Sequence, residues 1–216
     1  MPKLVHPKLK FTLAMAPRRA GILLEEDVRL LINKVRKLIN IKLLLADRGF
    51  KESEMLQMLY KEKVKYLMPL SESAGVKKLI KVLPMDSVYK DLEYGSIGYK
   101  IPYFVYTEGK KGPMKIATSI EIKKDDVAFI RNLPMIYSGR WTIETGYRDK
   151  KKNAFPRTTS TDYVVRLFYF SFSVLLYNAW GILNFLLMIG AGLEELKKKA
   201  ITLFSFLEKL YSVETG

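Results

Sequence analysis

The chain has 216 residues, 49% apolar and 27% charged, the composition of a globular protein with one sizeable core or a core plus an inserted subdomain. It has no cysteine and one histidine, His6, in a polar N-terminal segment. Disulfides, thiol nucleophiles, His- or Cys-based metal sites and a Ser-His-Asp triad are thereby excluded, and hydrolytic or transfer chemistry must rest on carboxylates with a bound metal. The formal net charge of +15, from 37 Lys and Arg against 22 Asp and Glu, points to a polyanionic partner. Nucleic acid comes first and an anionic membrane surface second; the bland alternative is a lysine-rich composition.

The N-terminal run MPKLVHPKLK is basic and lacks the apolar stretch of a signal peptide. Residues 9–16 (LKFTLAMA) read as a strand ended by Pro17. Residues 24–40 place Leu24, Val28, Leu31, Ile32, Val35, Leu38 and Ile39 at helical spacing. The apolar run 41–46 resembles a strand buried in a parallel sheet, and Asp47-Arg48-Gly49 makes the turn after it. A helix over 52–62 and a strand over 64–69 complete a strand–helix–strand–helix–strand order, which predicts an α/β layered core.

From 71 to 133 the texture changes to Tyr, Gly and short alternating runs, with EGKKGP as a hairpin loop. This region reads as a β-rich insertion. The predicted divisions are 1–70 for a partial core, 71–133 for the insertion, and 134–216 for helices completing the core. A polar-faced helix over 137–152, a basic link with Pro156 and Arg157, a long apolar helix over 161–188 and an amphipathic helix over 193–211 end the chain. Residues 167–193 carry no charged side chain and are long enough to span a bilayer. Ser171, Ser173, Asn178 and Asn184 within them favour a buried soluble helix over a membrane span.

Two features carry chemistry. Asp47 ends a predicted parallel strand, the edge where open α/β sheets bind ligands, although an Asp before Arg-Gly is commonly just a turn cap. In YSGRWTIETGYRDKKK, a helix turning about 100° per residue would gather Tyr137, Arg140, Glu144, Arg148 and Lys151 within an arc of roughly 80°. A lone helical Glu near Arg is usually a solvated ion pair. Asp47 and Glu144 together suit Mg²⁺ shared with substrate phosphates, with Arg140 and Lys151 placed to contact phosphate or orient the carboxylate. Tyr137 could hydrogen-bond a phosphate or stack on a base. The segment 148–157, with Arg148, Lys150, Lys151, Lys152 and Arg157, reads as a phosphate-backbone contact or as a solvated helix end.

The spacing Tyr137-x2-Arg140-x3-Glu144-x6-Lys151 resembles the Tyr-Arg-Glu-Lys signature of insertion-sequence transposases of the DDE type. LLADRGF, residues 44–50, resembles the block around their second catalytic Asp, and LLYNAW, residues 175–180, is similar to their C-terminal helix. The resemblance covers roughly residues 8–188. It implies a ribonuclease H-like mixed sheet with flanking helices, a β-rich insertion before the Glu helix, and C-terminal helices packed on the core. It further implies Asp47 and Glu144 as catalytic and metal-holding carboxylates, Mg²⁺ or Mn²⁺ as cofactor, and double-stranded DNA (transposon ends and target) as partner. A homodimer, a cytoplasmic, nucleoid-associated location, and cleavage followed by strand transfer belong to the same expectation.

The family also uses a first Asp upstream on a strand. The acidic residues before Asp47 are Glu25, Glu26 and Asp27, all at the start of a predicted helix. The chain therefore reads as an N-terminally truncated catalytic domain with impaired cleavage, or as a non-catalytic DNA-binding remnant.

Overall fold

The structure, a computed structural model, describes residues 11–17, 21–141, 159–191 and 201–212. It divides into two compact units, residues 14–140 and residues 1–13 with 141–216.

The first unit is built on one five-stranded mixed sheet. Helix α1 (Leu24–Arg36) opens it, with Glu25, Glu26 and Asp27 in its first turn and Lys34 and Arg36 in its last, each end complementing the helix dipole. Strand β1 is only Leu44–Leu45, shorter than the apolar run 41–46. After a single 3-10 turn over Arg48–Phe50 come α2 (Ser53–Lys61) and β2 (Tyr66–Pro69). A short helix α3 (Ala74–Ile80) leads to β3 (Ser87–Tyr94), β4 (Tyr99–Gly109) and β5 (Gly112–Thr118). The sheet order is β1-β2-β5-β4-β3. β1 runs parallel to β2, and β2 pairs antiparallel with β5 through Leu67–Thr118 and Pro69–Ile116. The Tyr- and Gly-rich strands thus extend the same sheet as the αβ repeat. Gly109 and Gly112 close the β4–β5 turn around Lys110 and Lys111, as EGKKGP predicts.

Strand alternation sends successive side chains to opposite faces. Tyr66, Met68, Phe104 and Ala117 join Met55, Leu56, Leu59 and Val76 of α2 and α3 on one face. Leu67, Val105 and Ile116 meet α4 (Val127–Ser138) on the other, through its Ile130, Leu133 and Tyr137. All four residues of β2 are buried, as expected for a strand covered on both sides. Gly95, at φ +77, opens the β3–β4 turn; a Cβ there would meet Ser53 Cβ at 2.3 Å, so only glycine fits.

The second unit is helical where described. Its elements are α5 (Tyr163–Gly190) and α6 (Leu203–Ser212). Asp162 caps α5, its carboxylate accepting from the Val164 and Val165 amides. Leu176, Tyr177 and Trp180 pack with Leu203 and Leu207 in a small core. Asn184 ties the chain ahead of α6, accepting from the Ile201 amide at 3.0 Å and donating to the Ile201 carbonyl at 3.2 Å. The α5 segment is long and apolar enough to cross a membrane by length and composition; core helices pass the same test.

Two expectations are corrected. Residues 11–16, within the strand expected over 9–16, have no regular secondary structure. Their pairing goes to a side chain instead: the Thr12 amide donates to Asn178 Oδ1 at 3.0 Å, and Asn178 Nδ2 donates to the Thr12 carbonyl at 2.9 Å. The helix expected over 137–152 begins ten residues earlier and stops at Ser138, with Gly139 and Arg140 in a turn. Tight bonds from the Gly139 amide to Ile136 O and from the Arg140 amide to Tyr137 O close its last turn. The single 80° face therefore does not run through Tyr137 and Arg140.

Candidate functional site

The site forms at the C-terminal end of β1, next to β2. Asp47 follows β1 directly and begins the 3-10 turn, its Oδ1 accepting from the Arg48 amide at 2.7 Å. The capping role expected of an Asp-Arg-Gly turn is thus present. The second oxygen faces elsewhere: Arg140 Nη1 stands 3.8 Å from Asp47 Oδ2. At that separation the pair is joined by charge rather than by a hydrogen bond. Arg140 is largely buried, whereas the Asp47 side chain is 57% exposed. A fixed cation therefore orients a carboxylate that solvent and ligand can reach.

The other flank is built by α4. Ile130, Leu133 and Tyr137, at spacings of three and four, pin the helix to the sheet. A Cβ on Gly139 would lie 3.1 Å from Ile136 O and 3.5 Å from Leu45 Cδ1, so the bare glycine lets the end of α4 settle on β1. That close approach brings Tyr137 and Arg140 to Asp47. The Arg140 guanidinium lies over the Tyr137 ring, 5.6 Å from its centroid. Burial pushes the Tyr137 phenol above its usual range; Arg140 pulls it down, Asp47 raises it, and Arg48 lowers it. The net rise keeps the hydroxyl protonated, a hydrogen-bond donor at neutral pH.

Across β2 the same edge carries more charge. Lys51 Nζ donates to Ser71 Oγ at 3.0 Å, and Lys115 forms an ion pair with Glu72. The sequence reading missed Arg48, Lys51, Glu72 and Lys115. The rule that drew attention to Asp47, the C-terminal edge of parallel strands, applies equally to the residues after β2.

The structure thus brings together Asp47, Tyr137 and Arg140 of the predicted site. Glu144, Arg148, Lys150, Lys151, Lys152 and Arg157 lie outside the described residues. A hard divalent ion takes oxygen ligands. Asp47 has that chemistry, but among the described residues no three His, Cys, Asp or Glu side chains converge. The described part of the site supplies one carboxylate, and the second expected ligand is Glu144.

The transposase DDE domain family matches residues 25–178, more than half of the chain and spanning Asp47, Tyr137, Arg140 and LLYNAW. A comparison with curated proteins finds no match. The chain belongs to the DDE-domain transposases. Its mixed sheet with flanking helices agrees with a ribonuclease H-like fold. Its general function is that of a transposase acting on DNA, and its family works with divalent metal ions.

Proposed function

We propose that this chain binds duplex DNA at transposon ends through the β1 edge, where its family carries out metal-dependent cleavage and strand transfer. The observation that carries the reading is the convergence of Asp47, Tyr137 and Arg140 from positions 90 or more residues apart in the sequence. Arg140 neutralises and orients a phosphate, Tyr137 donates a hydrogen bond to a phosphate oxygen, and Asp47 with Glu144 holds Mg²⁺ or Mn²⁺. A bound divalent ion would supply charge neutralisation for an in-line phosphoryl displacement. Lys151 belongs to the same signature, and Arg148, Lys150, Lys152 and Arg157 extend the backbone contact. The protein acts in solution, in the cytoplasm with the nucleoid, and pairs with a second copy.

Cleavage by this chain is at or near background on this reading. The acidic residues before Asp47 are Glu25, Glu26 and Asp27, and all three lie in α1, off the sheet edge. Asp27 is buried there. The same observation favours a second reading, a DNA-binding protein without turnover. The deciding experiment incubates the purified chain with a labelled transposon-end duplex in Mg²⁺ or Mn²⁺. Binding with background nicking is expected. Metal-dependent nicking abolished by Glu144→Ala would show instead a complete active site.

A further inference from the structure

The geometry points to Glu72 as an internal counter-ion that a DNA phosphate displaces, making the β2–α3 turn a second backbone contact beside Asp47. This rests on the DNA-binding reading above and extends it to residues outside the family signature.

Glu72 follows β2 at the edge where Asp47 follows β1. Its carboxylate is paired with Lys115, which the sheet places there: the Leu70 amide bonds Lys115 O at 2.8 Å, one step beyond the Pro69–Ile116 pair. Ile116 points into the α4 side of the sheet, so its neighbour Lys115 projects to the opposite face, toward α2 and α3. Lys51, at the start of α2, reaches the same turn through Ser71. The carboxylate is held below its usual range first by Lys115, then by Lys77 of α3 and by Arg48. Arg48 also acts on the Tyr137 hydroxyl. The cations therefore form one continuous track: Arg140, Arg48, Lys77, Lys51 and Lys115, with Asp47 and Glu72 as the anions within it.

A track of five cations and two carboxylates carries excess positive charge along the ligand-binding edge. Glu72 is exposed and the Lys115 stem is packed, so the anion can swing away while the cation stays in place. Surface ion pairs are held weakly, and a phosphodiester oxygen is an equivalent acceptor for the lysine. Entering DNA would thus replace one anion by another, without rebuilding the sheet. Glu72 would also weaken binding, because it competes for the cations that the phosphate needs.

The test is the salt dependence of duplex binding by the full chain, with Glu121→Gln as control. Glu121 is exposed and follows β5, which runs antiparallel to β2, so it lies at the opposite end of the strands with the same charge. Glu72→Gln should tighten binding roughly 3- to 10-fold near 0.1 M salt and steepen the log–log slope by about 0.9, one more phosphate neutralised. Glu121→Gln should change affinity less than about twofold. In a Lys115→Ala background, the gain from Glu72→Gln should shrink to the level of the control. Equal effects of Glu72→Gln and Glu121→Gln, or a gain undiminished by Lys115→Ala, would overturn the inference while leaving DNA binding intact. Absence of duplex binding by the wild-type chain would overturn the reading beneath it as well.

Discussion

The sheet unit and the helical unit bury themselves in different ways. In the first, central strands are covered on both faces: Met68 and Phe104 pack toward α1–α3, Leu67 and Val105 toward α4. In the second, α5 buries Ser173, Tyr177, Trp180, Asn184 and Met188 along one side, while Phe168, Leu175, Ile182 and Leu186 stand exposed on the other. Side-chain amides do there what strand pairing does in the sheet: Asn178 holds Thr12, and Asn184 holds Ile201. A closed apolar core fixes side-chain positions by packing alone. This explains why Tyr137 and Arg140 reach Asp47 from the sheet unit's own α4. The helical unit depends on a few polar clamps, each replaceable at a single position.

The largest effect should come from opening the closed core. Leu133→Ala removes a fully buried side chain between α4 and the sheet. It should cost about 2–5 kcal/mol in chemical denaturation and loosen the placement of Tyr137 and Arg140. A loss below about 1 kcal/mol would mean that α4 is not fixed by this packing. Next comes a polar clamp. Asn184→Ala strands the Ile201 amide, and about 1–3 kcal/mol should be lost. Amide exchange at Ile201 should accelerate while Leu67 in β2 stays protected; equal acceleration at both would erase the contrast between the units.

A smaller effect belongs to Asp86. Its carboxylate is held below the usual range by the hydrogen bond from Arg131 and then by that from Thr107. A depressed folded-state pKa gives stability that is present above the unfolded value, about 3.9, and is lost as pH falls through the folded one. Asp86→Asn, which tolerates the positive φ of 58° there, should cost about 1 kcal/mol at neutral pH and flatten the loss of stability below about pH 4. An unchanged acid limb would remove this pair from the account. The smallest effect is expected at Leu175→Ser on the exposed side of α5, within about 0.5 kcal/mol for the isolated chain. A loss comparable to Leu133→Ala would show that this side is covered in solution.

Much of the fold could be read from periodicity. The helical spacing from Leu24 onward, the apolar run around Leu67, the EGKKGP turn and the long helix before Gly190 all lie where pattern placed them. Two elements could not be read that way. Thr12 sits in an alternating run that looks like a strand, but its partner is the Asn178 amide, 166 positions away. The polar face from Tyr137 to Lys151 assumed unbroken helix, and Gly139 ends it because its missing side chain lets α4 tighten against Leu45. Asp47, Tyr137 and Arg140 were found by their resemblance to a family motif; their contact follows from α4 crossing onto β1. Arg48, Glu72 and Lys115 carry no motif, and only the register of β2 against β5 brings the lysine to the turn.

The central claim is that Arg140, beside Asp47, belongs to a DNA-handling edge rather than to a structural ion pair. Duplex-binding affinity of Arg140→Ala tests it most directly, measured beside Arg36→Ala, which removes a surface cation paired with Glu62. The account predicts roughly tenfold weaker binding for Arg140→Ala, about 1.4 kcal/mol, and less than about twofold for Arg36→Ala. Equal losses at the two positions, with both variants folded, would contradict it.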